Sequence, residues 1–169
     1  EPDKALSYNN RGNARRLQGD LPEAIADYDR AIELDPHYAT AYNNRGLACR
    51  LRGDVTGAVS DYETAHKLQP DDLSIVVDLV SAYMAAGQSE QGRHLGETGL
   101  ARLPESEYYQ RACLEVLLGH TELALDLLEK SLEEDPAKKD WPQRNPDWQS
   151  LETHPRYRRL VGLPAETEE

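Results

Sequence analysis

The pentapeptide YNNRG occurs at residues 8–12 and again at residues 42–46, 34 residues apart. A fixed period of this length constrains the chain more than any other feature, because it makes one small supersecondary unit recur and stack on itself. The same interval lays Gly19 on Gly53, Ala24 on Ala58, Tyr28 on Tyr62, Ala31 on Ala65 and Pro36 on Pro70. The frame continues more weakly through Gly87, Gly92 and Pro104. A fourth unit, with Tyr108, Gly119, Ala124 and Pro136, follows after the period shortens to 32 residues. The shortening lies between Pro104 and Tyr108, in an inter-repeat turn, where a change of length costs least.

Each unit reads as two helices. Leu21, Ala24, Ile25, Tyr28, Ala31 and Ile32 recur at helical spacing in the second half of the first unit. Gly19-Asp20 supplies the break: the glycine takes a left-handed conformation after the first helix, and Asp20 caps the second. Pro22 falls in the first turn of that helix and Pro36 stops it. With no Phe, one Met and 38% hydrophobic residues, the core is built from Leu, Ala, Val, Ile and Tyr, which suits thin helical layers. Gly12, Gly46, Ala24 and Ala58 let helices approach closely, and Tyr28 and Tyr62 fill the space between successive pairs.

The net charge of −12 argues against nucleic acid or anionic membrane surfaces as partners. It promotes solubility, and its sharper reading is attraction to a basic partner segment. No apolar run reaches the roughly 20 residues of a membrane span. Cys49 and Cys113 make neither a CxxC pair nor a disulfide framework, which fits a reducing compartment and a cytoplasmic location. The first residue is Glu1, which leaves room for a removed targeting segment. Pro2 stands 34 residues before Pro36, so residues 1–4 read as the remnant of a preceding repeat and a further unit is expected upstream.

The chain offers little chemistry. His37, His66, His94, His120 and His154 fall into no metal-ligand spacing; His94 with Glu90 and Glu97 reads as a solvated helix face. There is no glycine-rich phosphate loop after a strand and no GxSxG elbow. The reading is a non-enzyme, with no cofactor and no metal.

Residues 5–136 resemble tetratricopeptide (TPR) repeats, on Tyr8, Gly12, Ala24, Tyr28, Ala31 and Pro36 in the first unit. In the second the same positions hold Tyr42, Gly46, Ala58, Tyr62, Ala65 and Pro70. Arg11, Arg15 and Arg45 depart from the apolar residues usual at their positions. The resemblance implies an all-α, right-handed solenoid of about four helix-turn-helix repeats: 5–38, 39–72, a degenerate 73–104, and 105–136. Its second helix in the third repeat, with Gly92, Gly96 and Gly99, is expected to be the least stable. Residues 137–163, with Trp141, Trp148 and Tyr157, are expected to cap the last repeat through short helices starting near Pro146 and Pro155. Residues 164–169 are expected to fray.

The resemblance further implies that the first helix of each unit lines a concave groove that takes a peptide. The side chains it places there are Asn9, Asn13 and Arg16, then Asn43, Asn44 and Arg50. Val77, Asp78, Ser81 and Met84 follow, then Tyr109, Gln110 and Cys113. Asparagine both donates and accepts, so these residues either hold a peptide backbone or bond neighbouring helices. One TPR subclass clamps a terminal carboxylate with cations, but here those positions hold Asn9, Ser74 and Asp78, so binding of acidic chaperone tails is not expected. Arg11 and Arg45 are expected to lay their stems between helices and reach Asp27 and Asp61. The function implied is a protein-interaction scaffold binding a protein or peptide partner. The alternatives are a non-catalytic recruitment module of a larger enzyme or signalling protein, and a homo-oligomer assembled through repeat edges.

Overall fold

The computed structural model describes residues 2–164, without the Pro2 side chain; of the tail expected to fray at 164–169, residues 165–169 lie outside the described residues. Every regular element among the described residues is helical. The helices come in order, with α1 (Pro2–Leu17) packed on α2 (Leu21–Leu34), and α3 (Ala39–Leu51) on α4 (Val55–Leu68). Then come α5 (Leu73–Ala85) and α6 (Ser89–Arg102), followed by α7 (Tyr108–Leu117) packed on α8 (Thr121–Glu134). The chain divides within α6 into two compact units, Glu1–Gly92 and Arg93–Glu169.

The turns that end α1, α3, α5 and α7 are built alike. Gly19, Gly53, Gly87 and Gly119 have φ of 82°, 89°, 74° and 84°, the left-handed region that a side chain strains to enter. Around each, the residue after glycine donates its N–H to a carbonyl five residues back, as Asp20 does to Arg15 at 3.0 Å and Asp54 to Cys49 at 2.9 Å. The glycine bonds three back, as Gly19 does to Arg16, so the last carbonyls of the first helix are satisfied. Capping of the second helix is less uniform. Asp54 accepts from the Gly57 amide at 2.9 Å, whereas Asp20 occupies the N-cap position without a side-chain cap bond. Its carboxylate instead lies against Glu23, which raises the Glu23 pKa; the expected Asp20 cap is not formed.

In the first unit, Ala24, Tyr28 and Ala48 form one buried cluster with Ile25 at its margin. The glycines do what close packing demands. A Cβ on Gly12 would lie 2.6 Å from the Tyr28 ring, and one on Gly46 would lie 3.0 Å from the Tyr62 ring. Arg11 grips Asp27 with two nitrogens, Nε at 2.9 Å and Nη2 at 2.5 Å. Arg15 adds a bond to the same carboxylate at 2.7 Å. Arg45 repeats the grip on Asp61, with Nε at 2.8 Å and Nη2 at 2.6 Å. Both struts expected between helices are therefore present, each with its guanidinium over a tyrosine ring, Tyr8 or Tyr42.

In the second unit, Leu127 stands where Asp27 and Asp61 would fall, and Arg111 turns elsewhere. Its Nη1 caps the end of α6 through the carbonyls of Leu100 at 3.3 Å and Leu103 at 3.1 Å. Beyond α8 the proline-rich segment folds into short pieces. These are a 3-10 helix Pro136–Asp140, α9 (Trp141–Arg144), a 3-10 helix Pro146–Leu151, and α10 (Pro155–Val161). Trp148, Leu151, Tyr157 and Val161 are buried, and Trp148 stacks on Tyr157 at 5.8 Å. Arg156 fastens α10 to α8 through Glu122 at 3.3 Å, Asp126 at 2.6 Å and Glu129 at 2.7 Å.

Candidate functional site

The residues singled out from the sequence lie on α1, α3, α5 and α7. Asn9, Asn13, Arg16, Asn43, Asn44, Arg50, Asp78 and Ser81 belong to the first unit, on α1, α3 and α5. Tyr109 and Cys113 belong to the second, on α7. At about 100° per residue, Asn9, Asn13 and Arg16 fall within one arc of α1, and Asn43 and Arg50 within one arc of α3.

In the first unit these side chains bond one another across helices. Asn44 Nδ2 donates to Asn9 Oδ1 at 2.9 Å. Asn43 Nδ2 donates to Asp78 Oδ2 at 3.1 Å, and Arg50 Nη1 to Ser81 Oγ at 2.6 Å. The bonds run from α1 to α3 and from α3 to α5, so the row is a polar seam through three helices. Asn9 is only 3% exposed. Asn13 Oδ1 accepts from the Tyr28 hydroxyl at 2.8 Å. Burial pushes the Tyr28 phenol up, against the pull of nearby Arg16. Arg16 Nε and Asn43 Oδ1 are among the row's atoms that are buried without a hydrogen bond.

In the second unit, Tyr109 lies against Trp141 edge-on at 5.2 Å and beside Trp148 at 6.5 Å. Burial drives its hydroxyl pKa well above the ordinary phenol range. Cys113 is 2% exposed, and Asn145 Nδ2 approaches its sulfur at 3.8 Å. The tail thus covers both α7 residues.

Three leucines escaped the sequence reading. Leu6, Leu17 and Leu51 are large apolar side chains in solvent, with Leu17 77% and Leu51 51% exposed. By helical spacing Leu6 and Leu17 share the arc of Asn9 and Asn13, and Leu51 sits next to Arg50 at the end of α3. The signal was available: the dipeptide Arg-Leu recurs at 16–17 and 50–51. Leucine at a period that builds a core reads as core, and only the solved packing shows these facing outward.

Among the described residues no group of three or more His, Cys, Asp or Glu is placed to hold a metal ion. None of the described helices is long and apolar enough to cross a membrane. The site's chemistry is hydrogen bonding beside exposed apolar side chains.

Comparison with known proteins agrees with this architecture. A family model described as "TPR repeat" matches residues 12–49, and two described as "Tetratricopeptide repeat" match residues 50–114 and 108–138. Human tetratricopeptide repeat protein 36 is 58% identical over 33 residues, which is 20% of this chain and 18% of that protein. The chain therefore matches under a fifth of that relative's length. Among solved structures, the first TPR of Spaghetti (RPAP3), bound to an HSP90 peptide, superimposes with a TM-score of 0.64 at 23% identity. That match covers 71% of this chain and 97% of the other. YrrB, a TPR protein with an unusual peptide-binding site, gives 0.60 at 22% identity, over 93% of this chain and 80% of its own. Three consecutive repeat matches, the left-handed glycine at every inner turn and the small-residue contacts of Gly12 and Gly46 together carry the assignment: the chain belongs to the tetratricopeptide repeat family.

Proposed function

We propose that the chain is a protein-interaction scaffold that holds an extended partner segment along the face of α1, α3 and α5. The observation that carries this reading is the exposure of Leu17 and Leu51, one repeat apart, beside a polar seam whose members already bond one another. A seam of that kind is pre-organised: its outward atoms meet a peptide backbone without first being ordered. Affinity then comes from the leucines, since full burial of one such side chain contributes about 1.5–3 kcal/mol. The solved TPR domain that carries an HSP90 peptide and the peptide site of YrrB support a peptide-holding role. The segment held here differs from an acidic tail, because Asn9 is buried, Ser74 is neutral and Asp78 is an anion.

A peptide selected from a random library against the full chain tests the reading by calorimetry. Leu17→Ser and Leu51→Ser lie in solvent and leave the fold intact, so each is expected to weaken that peptide by roughly tenfold or more. A selected peptide that binds both variants as tightly as the parent would place the contact elsewhere. Asn13→Ala and Asn44→Ala are poorer probes, since they also remove the Tyr28 and Asn9 bonds.

A further inference from the structure

Repeats allow each position to be compared with its counterpart one period away, and in the first unit one acidic position has lost its cation. Asp29 of α2 takes Arg45 Nη1 at 2.6 Å. One period on, Asp29 becomes Glu63 and Arg45 becomes Leu79, a buried side chain with no charge to offer. Glu63 Oε1 accepts the Tyr83 hydroxyl at 2.8 Å. That bond orients the carboxylate, and burial, with the bond to Glu63 adding to it, pushes the Tyr83 phenol up to about 12. A hydroxyl supplies a hydrogen bond but no positive charge.

Glu63 also stands in the wall of a notch of about 400 Å³, lined by Val55, Val59, Ser60, Ala85 and Ala86. The notch goes with a separate difference between the two repeats. Ala85 and Ala86 are the counterparts of Leu51 and Arg52, so two short side chains end α5 where two long ones end α3. Space and an acid without a cation therefore coincide between α4 and the end of α5.

We propose that this notch docks an arginine side chain presented by a partner protein, with the guanidinium on Glu63 and the stem over Val55, Val59 and the two alanines. The chemistry of the occupant is read from the chain itself, which places an arginine on the equivalent carboxylate one repeat earlier. A planar fork matches a carboxylate held by one oxygen better than an ammonium does. An apolar stem suits a wall of valine and alanine. The net charge of −12 draws a basic segment toward the surface. None of the residues on the seam of α1, α3 and α5 takes part, so the proposal stands apart from the peptide reading above.

Methyl-resolved NMR on the full chain tests it, with acetyl-Ala-Ala-Arg-Ala-Ala-amide as the probe and the same peptide carrying citrulline as its neutral isostere. The arginine peptide is expected to shift the methyl signals of Val55, Val59, Ala85 and Ala86, with the citrulline peptide weaker by roughly tenfold. Glu63→Gln is expected to cause the same loss. Ala85→Leu, which restores the residue type of Leu51 and keeps the acid, is expected to close the notch and abolish the shifts. Equal response to citrulline, persistence in either variant, or shifts confined to other acidic surfaces such as α8 would overturn the proposal. The unchanged spectra of both variants away from the notch serve as the check that they fold.

Discussion

The two copies of YNNRG are chemically identical, yet their glycines are not equally constrained. Gly12 faces the Tyr28 ring at 2.6 Å for a built Cβ, against 3.0 Å for Gly46 and Tyr62. The Tyr28 ring is also tethered, because its hydroxyl donates to Asn13, whereas the counterpart of Asn13 is Leu47. Alanine gains about 1 kcal/mol over glycine in a helix interior, while overpacking costs about 1–3 kcal/mol. Gly12→Ala is therefore expected to lose about 1–2 kcal/mol and Gly46→Ala to be close to neutral, read as urea midpoints at neutral pH. Equal effects would mean that the tether on Tyr28 does not matter. The small-residue positions were legible in the sequence because volume at a close contact leaves a mark on residue type. The partner of each asparagine was not, since an amide looks the same whether it bonds a helix or waits for a ligand. The seam Asn44–Asn9 and Asn43–Asp78 became visible only with the packing.

Between elements, Arg45 joins three helices: α3 to α4 through Asp61, and α3 to α2 through Asp29. Removing it leaves Asp61 nearly buried without its cation, so Arg45→Leu is expected to cost about 3 kcal/mol. One period on, the same two positions of the sequence hold Leu79 and Leu95, so the repeat admits leucine at both. The double variant Arg45→Leu with Asp61→Leu should recover most of that loss, measured by thermal melting of the four members of a double-mutant cycle. A double variant as unstable as Arg45→Leu alone would show that Asp29, and not Asp61, is the partner that matters. The strut itself was legible: an arginine where an apolar residue is usual, and an aspartate sixteen residues on, share one contact in a helix pair. Its second arm to Asp29 was not, because that bond crosses between repeats and needs the geometry of stacking. The short helices after α8 divide in the same way. Pro146 and Pro155 announced two of them, while the 3-10 turn at Pro136–Asp140 and α9 depend on packing that proline positions alone do not specify.

At the scale of the molecule, 31 acidic against 19 basic residues leave the chain self-repelling, and its response to pH depends on carboxylates that the fold has claimed. Asp27 is one of these: the hydrogen bond from Arg11 holds its pKa below the ordinary carboxylate range, and Arg15 adds to the effect against the cost of burial. A group depressed in the folded state binds fewer protons there than in the unfolded chain, so its stabilisation is fully present above the unfolded pKa, about 4. That stabilisation is lost as pH falls through the folded value. Glu23 acts in the opposite sense, since its contact with Asp20 raises its pKa and so favours folding as the solution becomes acidic. Asp27 is buried among two arginines while Glu23 is exposed to solvent, so solvent screening reduces the second effect and the first sets the slope. Urea midpoints are therefore expected to hold from pH 7 to about 5 and to drop steeply below pH 4. Asp27→Asn should start lower at neutral pH, having lost its ion pairs, and fall less steeply in acid. Parallel curves for parent and variant would mean that acid unfolding is driven by the other carboxylates, and that the strut contributes packing without contributing charge.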